Sequence, residues 1–218
     1  MLHAMLRAVT PASGSVIIGP TSIAAGYSHS LALKDDGTVV AWGYDGNGQS
    51  SVPGGLTDVV QVAAGYQHSL AVKDDGTVVA WGLDTDGQAT VPSGLTGVVQ
   101  VAAGGYHSLA LKADGTVVAW GLDTYGQSTV PAGLTNVVQV AAGGYHSLAV
   151  KDDGTVFAWG GDYYGQSTVP AGLTDVVQVA SGQYHSLALK DDGTVVAWGQ
   201  NNYGQSTVPA GLVAYVPD

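Results

Sequence analysis

Several kinds of residue are missing or scarce in this chain of 218 residues. It has no cysteine, and only six of its residues are lysine or arginine. Without cysteine the chain has no disulfide, no zinc–thiolate site and no thiol nucleophile. The net charge of −11 opposes binding to nucleic acid, which requires a basic face that displaces phosphate counterions. It also opposes docking on an anionic membrane. Neither is therefore expected as a partner.

Long apolar runs are also absent. No stretch approaches the length of a membrane span, so membrane insertion is not expected. The first ten residues include Arg7 but no apolar core of a signal peptide, which takes roughly 7–15 residues. An intact signal peptide is therefore not visible. The compartment stays open, because the protein either remains inside the cell or carries a leader ahead of the printed sequence.

Residues that favour exposed helices are few. Glutamate is absent, and the five lysines recur at one regular spacing. Valine, threonine, tyrosine and tryptophan are plentiful, and there are 33 glycines. Because these residues favour strands and turns, the composition predicts an all-β fold. Apolar residues make up 45% of the chain, which is enough to form a buried core.

The dominant feature of the sequence is a repeat of 39 residues. One copy, residues 98–136, reads VVQVAAGGYHSLALKADGTVVAWGLDTYGQSTVPAGLTN. Five copies span residues 19–213, preceded by an extension at 1–18 and followed by a partial sixth copy at 214–218. The invariant aromatic positions are His29, His68, His107, His146 and His185, and Trp42, Trp81, Trp120, Trp159 and Trp198. Periods near 40 residues are typical of repeat arrays, solenoids and propellers.

Each copy contains four short β-like runs. In the second copy they are residues 59–63, 68–72, 77–81 and 89–91. An Asp-Gly pair between the second and third runs predicts a tight hairpin, and Pro92 ends the fourth run at a sheet edge. The pattern predicts a four-stranded meander, whose two apolar faces are buried when copies stack around an axis.

The motifs AAGxxHSLAL, DGTVVAWG and GQ resemble the RCC1 repeat family. The short unit is similar to that of bacterial members of the BLIP-II type. We therefore expect a β-propeller of five four-stranded antiparallel blades, two fewer blades than the family usually has. The resemblance implies partner binding rather than catalysis, and it suggests an extracellular bacterial protein. It does not identify the partner.

The ends of the chain leave two alternatives open. Residues 15–18, Ser-Val-Ile-Ile, have the pattern of an additional strand. In one interpretation this strand pairs with the partial sixth copy and latches a five-bladed ring. In the other it adds to the sheet of a neighbouring chain, which gives an oligomer or a filament.

The residues that are identical in every copy are predicted to be structural. The tryptophans are expected to wedge between blades, and each glutamine of the GQ pair to bind backbone. The histidines offer a ring of metal ligands as an alternative, but five equivalent residues converge only on the axis. The aspartate pairs lie in exposed hairpins. With no nucleophile elbow or P-loop either, we predict no catalytic residue, no metal, no cofactor and no enzymatic activity.

The copies differ mainly in two turns, which a meander places on the same face. One follows the first strand and the other follows the third. Both are rich in tyrosine, aspartate and asparagine and contain no lysine or arginine. Tyrosine is a common anchor of recognition surfaces, and the aspartates favour a basic or cationic partner. Neutral drift in exposed loops is the competing interpretation. The candidate binding residues are Tyr27, Tyr44, Asp45, Tyr66, Asp84, Asp86, Tyr106, Asp123, Tyr125, Tyr145, Asp162, Tyr163, Tyr164, Tyr184 and Tyr203.

Three functions are compatible with this pattern. The first is a non-catalytic scaffold that binds a protein partner through the variable face. The second is a multivalent lectin, because five equivalent clefts with stacking and hydroxyl-binding groups would bind a glycan. The third is a structural protein that assembles with itself, or a designed repeat protein, since the copies are so alike.

Overall fold

The computed structural model describes residues 23–216. This part of the chain has no helix long and apolar enough to cross a membrane. It consists of five antiparallel sheets, one for each repeat, and each sheet has three strands in sequence order. We call one sheet and the loop that follows it a blade. The strands are β1 Ile23–Ala25, β2 His29–Leu33, β3 Val39–Gly43, β4 Val59–Ala64, β5 His68–Lys73, β6 Val78–Gly82, β7 Val98–Ala103, β8 His107–Lys112, β9 Val117–Gly121, β10 Val137–Ala142, β11 His146–Lys151, β12 Val156–Gly160, β13 Val176–Ser181, β14 His185–Lys190 and β15 Val195–Gly199.

The hairpin between the second and third strands forms at the predicted Asp-Gly turn. In blade two, Lys73 N–H donates to Thr77 O at 2.9 Å. Gly76 has a φ of 76°, which glycine adopts without the strain that a Cβ adds. The Asp75 carboxylate accepts the Thr77 N–H at 2.9 Å and its hydroxyl at 2.6 Å. The aspartates of these hairpins therefore shape the turn, as the sequence predicted.

The fourth strand predicted at residues 89–91 is not formed, so four strands per blade is wrong and three are found. The Asp84 carboxylate accepts the N–H of Ala89 at 2.7 Å and the hydroxyl of Thr90 at 2.6 Å. These turn contacts use a backbone donor that pairing with the third strand would need. Pro92 follows and has no N–H to offer. The segment is therefore a chain of turns.

The hydrophobic core lies between successive blades. One cluster joins Leu70 and Val72 of blade two to Val101 and Trp120 of blade three. The centre of the second strand is the most buried position in the fold. Its fully buried leucines are Leu31, Leu70, Leu109 and Leu148. Each sheet thus covers its neighbour, as expected for units that cannot bury both faces alone.

Polar contacts repeat at the blade junctions. His68 Nε2 of blade two lies 3.0 Å from Ser108 Oγ of blade three. Trp120 Nε1 donates to Gln88 O across the same junction at 3.0 Å. The side chain of Gln88 also accepts the backbone N–H of Asp86 at 2.9 Å. The predicted structural roles of the repeated histidine, tryptophan and glutamine are confirmed.

The blades curve around a central opening of about 230 Å³, lined by the Ala-Ala-Gly corners of four repeats and by Ser181 and Gly182 of the fifth. A Cβ on Gly65 would lie 2.4 Å from Gly104 O, so glycine permits the close approach of neighbouring blades. Among residues 23–216 no hydrogen bond joins blade five to blade one. Trp42 of blade one is 53% exposed, whereas its four counterparts are 7% exposed. Closure of the ring therefore stays a prediction, and the latch at 15–18 lies outside the described residues.

Candidate recognition face

Two kinds of loop share one face of the molecule, because antiparallel strands run alternately up and down. They are the turn after the first strand and the loop after the third strand. In blade two, Leu83 N–H donates to Gln67 O at 2.8 Å and ties the two together. We call this surface the tyrosine face. It comprises residues 26–28 and 44–50 of blade one and the equivalent residues of the other blades.

The opposite face carries all five lysines, and each is paired with an aspartate. In blade two, Lys73 Nζ lies 3.9 Å from Asp75 Oδ2. The loops that enter blades two to five lie there too, because in blade two Asp74 N–H donates to Asp58 O at 2.8 Å and the other three make the equivalent contact. The other pairs are Lys34–Asp36, Lys112–Asp114, Lys151–Asp153 and Lys190–Asp175. Within residues 23–216, the basic side chains thus lie on the face that lacks the tyrosines.

Five tyrosines form a continuous row on the tyrosine face. Successive ring centroids are 5.5, 5.6, 5.8 and 5.8 Å apart. The backbone fixes this spacing, because Tyr66 N–H donates to Gly104 O of the next blade at 3.3 Å. A Cβ on Gly105 would lie 2.5 Å from Gly144 O, so the turns of blades three and four approach each other closely at this position. The tyrosine row is Tyr27, Tyr66, Tyr106, Tyr145 and Tyr184.

Three further tyrosines pack on one side of the row. Tyr125 meets Tyr145 edge to face at 5.7 Å, and Tyr164 meets Tyr184 at 5.2 Å. Tyr163 lies 4.8 Å from Tyr164. The structure therefore brings eight of the ten predicted tyrosines into one aromatic cluster. The other two, Tyr44 and Tyr203, are exposed at opposite ends of the blade series.

The predicted aspartates of this face have a structural task that the sequence argument missed. In blade three, the Asp123 carboxylate accepts Ser128 N–H at 2.7 Å and the Thr129 hydroxyl at 2.6 Å. Asp45, Asp84 and Asp162 make the same contacts in their own blades. Such hydrogen bonds hold the pKa of Asp45 below its ordinary value. The four carboxylates shape the loops and add negative charge. Asp86 is exposed beside them.

Two phenols of the cluster, those of Tyr66 and Tyr145, are held neutral at physiological pH. Burial raises the pKa of Tyr66 and of Tyr145, and neighbouring tyrosines raise both further. The surface therefore offers aromatic faces and hydroxyl groups, with its charge supplied by aspartate. In residues 23–216, no three histidine or aspartate side chains gather where they could hold a metal ion.

A cavity of about 500 Å³ opens in this cluster beside blade four. Its lining residues are Tyr125, Tyr145, Gly161, Asp162, Tyr163, Tyr164, Gln166 and Tyr184. Gly161 and Gln166 were not among the predicted site residues. Gly161 did leave a signal in the sequence, because the other copies have tyrosine, leucine, leucine and glutamine there. A missing side chain in one copy marks where the cavity lies.

Comparison with known proteins agrees with this architecture. The regulator of chromosome condensation (RCC1) repeat matches residues 21–49, 59–88, 98–127, 137–166 and 176–205. Among curated protein sequences none matches this chain. Solved structures do match. Prp20p from Saccharomyces cerevisiae is 25% identical with a TM-score of 0.72, over 86% of this chain and 59% of Prp20p.

Two other structures show the same relationship. Human WBSCR16 is 28% identical with a TM-score of 0.70, over 88% of this chain and 64% of WBSCR16. The ectodomain of the receptor kinase CR4 from Physcomitrella patens is 22% identical with a TM-score of 0.75, over 88% of this chain and 57% of the ectodomain, and shows the fold alone. The chain spans less than two thirds of the length of each of these three structures.

Proposed function

Because this chain belongs to the family of RCC1 repeat proteins, we propose that it is a non-catalytic scaffold that binds a protein partner through its tyrosine face. The observation that carries the proposal is the aromatic cluster. Eight tyrosines from the five turns after the first strands and from two loops after third strands meet on one surface, next to the four loop aspartates and away from every lysine. Tyrosines are enriched among the residues that dominate binding energy at protein interfaces.

A similar protein supports partner binding in general. The structure of Prp20p was described together with its binding properties to Gsp1p and histones. That description concerns Prp20p, and it does not name a partner for this chain. It does agree with a family fold whose loops serve recognition rather than chemistry.

The charge of the face indicates the kind of partner. Asp45, Asp84, Asp123 and Asp162 edge the cluster, and the lysines lie on the opposite face in pairs with aspartate. Complementary potentials steer association and reject partners of like charge. We therefore expect a partner with a basic or cationic surface, and binding that weakens as salt concentration rises.

The experiment that tests this function compares the two faces directly. A variant with Tyr125→Ala and Tyr164→Ala removes two exposed rings of the tyrosine face. The matched control, Lys112→Ala and Lys151→Ala, changes the opposite face, where exposed ion pairs contribute little to stability. Proteins captured by the wild-type chain are identified, and their dissociation constants are then measured for all three forms.

We expect the tyrosine variant to weaken binding at least about thirtyfold, since truncating an interface hot spot costs about 2 kcal/mol or more. The lysine control is expected to change the dissociation constant less than about threefold. A partner lost by the lysine variant and retained by the tyrosine variant would contradict the proposal. So would the absence of any captured protein above background.

Self-assembly is a second candidate function, favoured by the two ends of the blade series. Trp42 and Ser30 of blade one have no blade before them in the described residues, and His185 of blade five has no serine after it. At internal junctions the same residue types are bonded and buried, as in His146 Nε2 to Ser186 Oγ at 2.9 Å. The two ends are thus complementary halves of one junction, and a second copy fits them end to end.

The lectin alternative is less well supported. It predicts equivalent clefts in all five blades, but the cleft at Gly161 depends on a residue found in one copy. A side chain of tyrosine, leucine or glutamine occupies the corresponding place in the others. A glycan array remains the direct test, with binding by the wild-type chain as the outcome that would favour it.

A further inference from the structure

We propose that the cavity beside blade four binds a quaternary ammonium group, such as the trimethylated lysine side chain of a protein partner. This inference rests on the proposed function and deepens it, because it names the chemical group of the partner that the tyrosine face recognises. Three properties of the cavity support it. They are the aromatic walls of the cavity, the negative charge beside it, and the hydrogen bonds that the Asp162 carboxylate and the Gln166 side-chain oxygen already accept from the protein.

The walls of the cavity are phenol rings in differing orientations. Tyr145 and Tyr184 stack with an interplanar angle of 14°. Tyr125 stands at 88° to Tyr145, and Tyr164 stands at 61° to Tyr184. Tyr163 completes the set at 83° to Tyr164. A cation is attracted to the negative faces of such rings, and an aromatic cage is the recurring solution for quaternary ammonium ligands.

The charge around the cavity has one sign. Asp162 is the only ionisable residue among its lining residues other than the tyrosines, and no lysine or arginine lines it. The nearest lysine in sequence, Lys151, lies on the opposite face and pairs with Asp153 at 3.2 Å. A cation that enters the cavity therefore meets attraction from both the carboxylate and the rings.

The Asp162 carboxylate and the Gln166 side-chain oxygen, two of the acceptors that line the cavity, already accept hydrogen bonds from the protein. The Asp162 carboxylate accepts Ser167 N–H at 2.7 Å and the Thr168 hydroxyl at 2.7 Å. Gln166 Oε1 accepts Tyr164 N–H at 2.8 Å. A primary ammonium group or a sugar loses hydration that these engaged acceptors replace only in part. A quaternary ammonium group carries charge without N–H donors, so it gains the electrostatic attraction without that loss.

Gly161 provides the space. A Cβ there would lie 3.0 Å from Tyr145 O and 3.3 Å from Tyr145 Cβ, at the inner wall of the cavity. The equivalent residues Leu83 and Leu122 hold the same backbone contact, since Leu122 N–H donates to Tyr106 O as Gly161 N–H donates to Tyr145 O. Leucine is therefore compatible with the fold at this position. The substitution Gly161→Leu fills the cavity by restoring what two other copies have.

The test uses the full chain and small probes. Choline is titrated by isothermal calorimetry or by NMR, alongside 3,3-dimethyl-1-butanol, which has the same shape without the charge. We expect choline to bind at least about tenfold more tightly than the neutral probe, since a desolvated cation–π contact contributes roughly that factor. Gly161→Leu and Tyr164→Leu are each expected to abolish choline binding. Tyr164→Phe, which keeps the aromatic face, is expected to retain it.

Tyr203→Ala serves as the matched control, because Tyr203 is 92% exposed and outside the cluster. It is expected to leave choline binding unchanged. Equal affinity for both probes, or choline binding that survives both Gly161→Leu and Tyr164→Leu, would overturn the inference. Tighter binding of neutral monosaccharides than of choline would also overturn it and would favour a glycan site.

The outcomes separate this inference from the proposed function. If choline does not bind while capture of a protein partner still requires Tyr164, the inference is wrong and the scaffold function stands. If choline binds as expected while no protein partner depends on the face, the inference stands as a small-cation site and the scaffold function is wrong.

Discussion

At the scale of single residues, the repeated histidines are the most informative. Each begins the second strand of a blade, and four of them meet a serine of the next blade, at 2.9 or 3.0 Å. Burial lowers the pKa of His68 and His146 to about 4 and that of His107 to about 3. These three side chains are therefore neutral when the protein is folded at physiological pH.

The buried histidines predict a loss of stability in mild acid. In the unfolded chain each takes up a proton below pH 6.5, whereas His68, His107 and His146 resist protonation down to about pH 3–4. Stability is therefore fully present above pH 6.5 and falls as pH drops towards 4, by roughly 1.4 kcal/mol per pH unit for each histidine. Urea unfolding at pH 7.5, 6.0 and 5.0 measures this change.

A histidine variant and the aspartates provide the controls. His107→Gln is expected to reduce the slope of unfolding free energy against pH by roughly 1.4 kcal/mol per pH unit, the contribution of one titrating histidine. Hairpin hydrogen bonds lower the pKa of Asp36, Asp114 and Asp153 to about 2. The contribution of these aspartates to stability is therefore lost only below pH 3.8, outside the pH range in which the histidines act. An unchanged urea midpoint between pH 7.5 and 5.0 would show that the histidines are not buried as described.

At the scale of the element, the blade is stable only against its neighbours. The tryptophan of each of blades two to five is buried at a junction and donates to the glutamine carbonyl of the preceding blade. The loop after the third strand replaces a fourth strand, because its aspartate holds the backbone in turns. Asn201 does the same in blade five, where Asn201 Oδ1 accepts Ser206 N–H at 2.9 Å.

The tryptophans predict a contrast between equivalent positions. Trp81→Ala removes a buried ring and the hydrogen bond from Nε1 to Gln49 O, at 2.9 Å. We expect it to lower the unfolding free energy by about 3–5 kcal/mol. Trp42→Ala, at the exposed end, is expected to cost less than about 1 kcal/mol. Urea denaturation followed by circular dichroism compares the two, and equal losses would mean that Trp42 is also packed at a junction.

At the scale of the whole molecule, the five blades curve around a central opening. In the described part of the chain, the outer surfaces of blades one and five are complementary but are not joined to each other. At each of the four internal junctions, a tryptophan Nε1 donates to the backbone carbonyl of a glutamine in the preceding blade. At the two ends, Trp42 is equivalent to those tryptophans and Gln205 to those glutamines. Exposed apolar surface of this kind is typical of an interaction site. The same geometry allows end-to-end association of copies, whose contacts need not close into a ring.

Self-association through these ends is expected to depend on concentration. Sedimentation velocity over a hundredfold range should show species at multiples of the 21.9 kDa chain mass. Trp42→Lys is expected to leave only the single chain, because it places a charge in the complementary junction. Tyr203→Lys, which changes an exposed loop, is the control and should associate normally. A single 21.9 kDa species at every concentration would rule out assembly.

The sequence by itself determined the features that repeat. The period, the all-β class, the Asp-Gly hairpins and the structural roles of His68, Trp81 and Gln88 could be predicted, because each depends on local pattern or on a contact made again in every copy. The same reasoning placed the variable tyrosines on one face. It failed for residues 89–91, because the hydrogen bonds of Asp84 to that segment are not visible in a β-like pattern.

Only the tertiary structure decided which tyrosines meet and where a cavity opens. The spacing of the tyrosine row follows from hydrogen bonds between neighbouring turns. The cavity beside blade four is lined by Gly161, at a position where the other four copies have a side chain. Such features depend on distances between chain segments about 20 and 40 residues apart, as with Tyr164–Tyr184 and Tyr145–Tyr184. A repeat in sequence makes those segments similar, but packing determines how closely they approach.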